Sequence, residues 1–157
     1  MSNTYTQIQI QAVFSVKSRD ALINPLWEER LHSYIHGVLK EEGHKPLKIN
    51  GTEDHLHVFF GLNPNQSLSL CMQKIKGKSS KWINAEGLCK GAFAWQRGYG
   101  AFSYSRSQFD AVYLYIANQK DHHKKMTFLQ EFESFLKKFE IPYDPQYLPK
   151  DVSSEED

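Results

Sequence analysis

Apolar residues at 8, 10, 12 and 14 alternate with polar or smaller ones, which predicts a first strand with one buried face. After a charged turn from Lys17 to Asp20, Asn24 precedes Pro25, an N-cap followed by a proline at the first helical position. Glu28 and Glu29 favour the positive end of that helix, and Trp27, Leu31, Tyr34, Ile35 and Val38 recur at helical spacing until Gly43 ends it. Leu47 and Ile49, the Gly51 turn, and the run His55 to Leu62 then read as an antiparallel pair of strands.

Residues 63–65 break the chain before a second helix, with Leu68, Met72, Ile75, Ser79 and Trp82 on one stripe and lysines on the other face. Gly77 inside it costs about 1 kcal/mol relative to alanine, so close approach of another group or tight packing is expected there. The stretch from Phe93 to Ser105, punctuated by Gly98 and Gly100, reads as two short strands or a bent hairpin. Ser107-x-x-Asp110 predicts the start of a third helix containing Val112, Tyr115, Ile116 and Gln119. Thr127-x-x-Gln130 opens a fourth, with Phe128, Phe132, Phe135 and Phe139.

The order strand, helix, strand, strand, helix, strand is the split βαβ, ferredoxin-like pattern of an α+β fold. It predicts an antiparallel sheet with two helices on one face, plus added C-terminal helices. At 157 residues with no internal repeat, a single domain over residues 1–150 is expected, with an irregular arm from Ile141 to Pro149 and an acidic, disordered tail at 151–157. Such a fold hosts unrelated activities, nucleic-acid binding among them.

Two cysteines, Cys71 and Cys89, give no disulfide framework; no secretion signal or membrane-length apolar run is apparent, so the cytoplasm is the expected compartment, with no membrane partner. The net charge of +1 hides a gradient, because residues 1–150 hold all 19 cations against 14 of the 18 acids, a net of +5. Between 73 and 106, Lys74, Lys76, Lys78, Lys81, Lys90, Arg97 and Arg106 face a single acid, Glu86, and interleave with Trp82, Phe93, Trp95, Tyr99, Phe102 and Tyr104. Basic charge mixed with aromatics suits a single-stranded nucleic acid; a solvated lysine face beside core aromatics is the plainer reading.

The candidate chemistry lies in two separated pieces. On a strand, His55 and His57 point the same way, about 7 Å apart, while Leu56 points oppositely, so two imidazoles converge on one object. Histidines in mid-strand are also often structural. Tyr115 and Gln119, four apart, share a helix face that would present a phenol and an amide oxygen together. Tyr113 points elsewhere and reads as core. His122 and His123 are adjacent and diverge, so at most one could join the histidine pair.

His55-Leu56-His57, the run Lys76-Gly77-Lys78-Ser79-Ser80, the stretch from Trp95 to Ser103, and Tyr115-Ile116-Ala117-Asn118-Gln119 followed by His122-His123 resemble, in order, the single-tyrosine, His-hydrophobic-His transposases of the IS200/IS605 type. The likeness runs from about Tyr5 to Tyr147. It implies Mg²⁺ or Mn²⁺ held by His55, His57 and Gln119, and Tyr115 as the nucleophile that cleaves and rejoins single-stranded DNA at hairpin ends through a 5′-phosphotyrosine link. It further implies a homodimer in which Tyr115 acts in trans, with Lys74, Lys78, Lys81 and Arg97 as candidate DNA contacts. Many relatives have a first-strand histidine where this chain has Gln11.

A domesticated relative that processes chromosomal repeats would share this chemistry. A non-catalytic ferredoxin-like nucleic-acid-binding module would instead bury the histidines as core, and a small metal hydrolase would not need Tyr115.

Overall fold

The computed structural model describes residues 3–152. Its element order is β1 (Gln9–Ser15), α1 (Glu28–Glu41), β2 (Lys45–Gly51), β3 (His55–Gly61), α2 (Leu68–Ala85), β4 (Gly100–Tyr104), α3 (Phe109–Ala117), α4 (Gln119–His122) and α5 (Phe128–Lys138). The four strands form one antiparallel sheet in the order β2-β3-β1-β4, the expected ferredoxin-like arrangement.

Period-two alternation divides the sheet into two faces with different tasks. Ile10, Ala12, Phe14, Leu56, Val58 and Phe60 form one, packed with Leu31, Ile35 and Leu39 of α1 and Met72, Ile75 and Ile83 of α2. On the other, Val13, Phe59, Phe102 and Tyr104 meet Val112 and Ile116 of α3 and Phe128, Phe132 and Phe135 of α5. Since His55, His57 and Phe59 alternate with Leu56, Val58 and Phe60, both imidazoles lie beneath α3–α5. The register Val13↔His57 and Ser15↔His55 puts Gln11 on the same face, one strand over.

The helix starts differ from expectation where local hydrogen bonds compete. Asn24 Oδ1 accepts from Leu26 N in a turn, and α1 begins only at Glu28. The capping box after β4 pairs Ser105 with Gln108 and closes a one-turn 3₁₀ segment, Arg106–Gln108, ahead of α3; Ser107-x-x-Asp110 is not the start. Thr127 and Gln130 form the expected capping box of α5. Only one strand, β4, comes from the glycine-punctuated stretch, together with an isolated bridge from Trp95 to Val16.

Gly77 is exposed, and a Cβ there would meet nothing within 4 Å, so packing does not require glycine. Two of the sequence blocks instead meet through neighbouring side chains. Trp95 Nε1 donates to Ser79 Oγ at 2.9 Å, and Lys76 Nζ donates to the carbonyls of Gln96 (2.8 Å) and Gly98 (2.6 Å). At the C-terminal end, Asp151 Oδ1 accepts from Leu129 N at 2.9 Å and Val152 O from Arg19 Nε at 3.4 Å; the rest of the acidic tail lies outside the described residues. No helix among the described residues is long and apolar enough to cross a membrane.

Candidate metal and nucleophile site

The third helix does not run through Gln119 as the four-residue spacing implied. It stops at Ala117, where Asn50 Nδ2 of β2 donates to the carbonyls of Ile116 (3.0 Å) and Ala117 (3.2 Å), and a separate turn, α4, begins at Gln119. Lys120 fastens that turn, donating to Glu28 Oε1, Asn50 Oδ1 and Gly51 O at 2.6, 3.1 and 3.2 Å. The break turns the Gln119 carboxamide inward, where it is fully buried.

His55, also fully buried, contacts Asp54 Oδ1 at 2.6 Å through Nδ1 and Gln119 Oε1 at 2.9 Å through Nε2. Thr52 Oγ1 donates to the same Asp54 oxygen at 2.8 Å. Burial opposes charging the ring, but Asp54 and Glu131 outweigh it and raise the His55 pKa to about 9. A protonated ring satisfies both acceptors at once. For His57 burial wins over the attraction of Glu131 and the pKa falls below the usual range. Gln11 Nε2 donates to His57 Nδ1 at 2.8 Å, while Tyr104 donates its hydroxyl to Gln11 Oε1 at 2.7 Å.

At the centre is a residue that the sequence reading missed, Glu131 of α5, fully buried. Its Oε1 lies 2.9 Å from His57 Nε2, 3.4 Å from His55 Nε2 and 3.0 Å from His123 Nε2. Its Oε2 accepts from Gln119 Nε2 at 3.0 Å and, in a very short hydrogen bond, from the Tyr115 hydroxyl. Burial would raise the Glu131 pKa; the charge at His57 and the ring nitrogens of His123, His55 and His57 overcome this and hold it far below the usual carboxylate range. Tyr115 is pushed well above the usual phenol range by burial, then by the charge of Glu131. A signal for Glu131 was present: Phe128, Glu131, Phe132 and Phe135 make one i, i+3, i+4, i+7 stripe, and a carboxylate on an apolar stripe needs buried partners.

His122 and His123 diverge as expected. The His123 ring lies 4.4 Å from that of His55, whereas His122 stacks on Tyr115 at 4.6 Å. Tyr113 is half-buried rather than core, stacked on Phe109 with Lys48 over its ring. Within a single chain the histidine pair, Gln119 and Tyr115 already meet. The connection that brings Tyr115 there is short: one capped 3₁₀ turn after β4 leads directly into α3, which packs on the sheet.

Two ligand types converge here. The Nε2 atoms of His55 and His57 and a Glu131 oxygen lie within 4.8 Å of one another, with the Gln119 amide oxygen alongside His55. Nitrogen and oxygen donors in this set fit a divalent cation such as Mn²⁺ or Mg²⁺, and no complete cysteine or four-ligand zinc set competes among the described residues. Hollows open on both sides: one of about 540 Å³ bordered by Asp54, His123, Lys120, Lys124 and Lys125, and one of about 330 Å³ bordered by Gln11, Tyr104, Gln108 and Tyr115. The lysines singled out for DNA sit elsewhere. Those of α2 are on the opposite side of the sheet, where Lys74 pairs with Glu42 at 3.0 Å and Lys78 lies 3.6 Å from it, while Lys81 and Arg97 are exposed.

A four-stranded antiparallel sheet carrying a buried histidine pair, closed over by a tyrosine-bearing helix, defines an α+β protein of the single-tyrosine transposase architecture. The family model described as "Transposase IS200 like" matches residues 4–119, three-quarters of the sequence, and the chain belongs to that family. Two solved structures share the fold. A protein from Deinococcus radiodurans R1, described as a candidate transposase, is 17% identical, with a TM-score of 0.60 over 76% of this chain and 95% of its own. A REP-associated tyrosine transposase bound to a REP hairpin is 14% identical, with a TM-score of 0.58 over 98% of this chain and 93% of its own. No curated protein sequence matches.

Proposed function

We propose that this protein is a metal-dependent transposase of single-stranded DNA hairpin ends, with Tyr115 as nucleophile and His55, His57 and Gln119 toward the cation. The observation that carries this reading is the convergence of the Tyr115 hydroxyl, the Gln119 carboxamide and both imidazoles on one buried point. Family membership supports strand-transfer chemistry. The hairpin-bound relative, alike over nearly the whole chain, supports a hairpin substrate.

Tyr115 attacks the phosphorus through its phenolic oxygen; the new P–O bond forms as the bond to the 3′ oxygen breaks, leaving a 5′-phosphotyrosine and a free 3′-hydroxyl. The phenolic proton has its first acceptor in Glu131, to which the hydroxyl is already bonded. Stacked on Tyr115, His122 fixes the ring plane, and Asp54 and Gln11 orient the two imidazoles from behind. A bound divalent cation would polarise the phosphoryl oxygens and offset charge developing on them. The exposed cations Lys124 and Lys125 border the larger hollow and can hold backbone phosphates there. Rejoining is the reverse attack by a 3′-hydroxyl, so the covalent link conserves the bond energy without ATP.

The test is a 3′-labelled hairpin oligonucleotide with a flanking single strand, incubated with protein and Mn²⁺ or Mg²⁺. The label should become attached through an SDS-resistant bond that Tyr115→Phe abolishes. An adduct in the phenylalanine variant would refute Tyr115 as nucleophile, and binding that survives chelation without any adduct would favour a non-catalytic module. A repeat-processing relative would give the same adduct and differ in which hairpins it accepts.

A further inference from the structure

The histidine pair and the tyrosine share one neighbour, Glu131, whose only task so far is to take the phenolic proton through one of its two oxygens. Glu131 lies on α5, beyond the residues matched by the family model, which end at 119. Its carboxylate is fully buried, and five side chains on four separate segments are aimed at it. A carboxylate placed so deep for packing alone would be replaced at lower cost by an apolar residue continuing the Phe128, Phe132 and Phe135 stripe. The two oxygens are also unlike. Oε1 faces imidazole nitrogens only, the atoms that would ligate a cation; Oε2 faces the Tyr115 hydroxyl and the Gln119 amide nitrogen.

We infer that Glu131 is a ligand of the divalent cation through Oε1, completing a two-histidine, one-carboxylate set, and that Oε2 ties Tyr115 and Gln119 to the same centre. This rests on the reading of the site as a metal centre given above. A hard anionic oxygen beside two imidazoles raises the affinity for Mg²⁺ and Mn²⁺ over what two histidines and a neutral amide provide. In that set Gln119 shifts from a required ligand to an auxiliary one: its amide nitrogen holds Glu131 Oε2, and its oxygen, the atom by which a carboxamide ligates, is paired with His55 Nε2 and reaches the cation only by leaving that contact. The nucleophile is then positioned by the metal's own ligand rather than by the helix spacing alone.

Calorimetric titration of chelator-treated protein with Mn²⁺ tests the assignment without reference to activity. Glu131→Gln is expected to weaken Mn²⁺ binding at least tenfold, Gln119→Leu by less than Glu131→Gln, and Tyr115→Phe to leave it within about threefold of the wild type. Wild-type affinity in a folded Glu131→Gln variant would overturn the inference. Should that variant fail to fold, the wild-type protein decides: with glutamate labelled by ¹³C at the side-chain carboxyl, one equivalent of Mg²⁺ should shift a label-sensitive carboxylate band in the infrared difference spectrum. No such band would equally overturn it. Failure here is separable from failure of the function. A Tyr115-dependent DNA adduct with an unaffected Glu131→Gln affinity sinks only the ligand, whereas weakened Mn²⁺ binding with no adduct in the wild type sinks only the transposase.

Discussion

Raising the pH of the metal-free protein from about 7 to 8.5 should unfold it more easily, and His55 is the reason. Its pKa rises from an ordinary 6.5 to about 9 in the folded chain because Asp54 and Glu131 outweigh the cost of burial. A proton is therefore held more tightly in the folded state than in the unfolded one. That contribution is fully present below pH 6.5 and is lost as the pH rises through 9. At 1.36 kcal/mol per unit, the difference amounts to about 3 kcal/mol across the whole window, of which most should be spent by pH 8.5. The two cysteine thiols, both raised by burial, begin to matter only above their ordinary value of 9, beyond the ceiling at pH 8.5. His32 and His57, both lowered by burial, act with the opposite sign, but their gain is nearly complete just above their ordinary 6.5, so the fall from about pH 7 to 8.5 belongs to His55. Urea unfolding of EDTA-treated protein at half-unit intervals measures the slope. Asp54→Asn, which keeps a hydrogen-bonding oxygen but removes the charge, should flatten it. Saturating Mn²⁺ should also reverse its sign, since a cation on Nε2 displaces the proton and binds better as the pH rises. Stability that stays level or climbs between about pH 7 and 8.5 without metal would refute the electrostatic account of His55.

Gln11→Leu is expected to weaken Mn²⁺ binding roughly 10- to 100-fold, because with the cation on His57 Nε2 the ring's proton sits on Nδ1 and the Gln11 carboxamide, turned to present its oxygen, accepts it and orients the ring; calorimetry would register the loss, and unchanged affinity would mean that the carboxamide does not orient the ring. Thr127→Ala deletes one half of the capping box of α5 and should cost about 1 kcal/mol in urea unfolding, with no loss if the helix start does not depend on it. Gly77→Ala should stabilise α2 by about 1 kcal/mol, because the added Cβ meets nothing within 4 Å; a loss of stability would contradict the open surface described here.

What was legible in the chain alone was everything governed by local period and spacing. Alternation at 8–14 and 55–62 assigned strand faces, so the shared orientation of His55 and His57 followed before any tertiary contact was known. Ordered motif blocks pointed to the family, and the Thr127-x-x-Gln130 box marked the start of α5. Tertiary structure decided the rest. A helix spacing suggested that Tyr115 and Gln119 share one face of one helix, yet Asn50, distant in sequence, captures the carbonyls at the end of α3 and turns Gln119 into the core. The lysines of α2, legible only as charge, lie across the sheet from the histidines because the β1-β3 register puts α1 and α2 on the other face. Glu131 could be flagged only as an acid on an apolar stripe, since a single periodic stripe records which side of a helix is buried and not which partners wait there. Those partners come from β3, α3, α4 and the turn after it, and their meeting depends on long-range packing that no local pattern encodes.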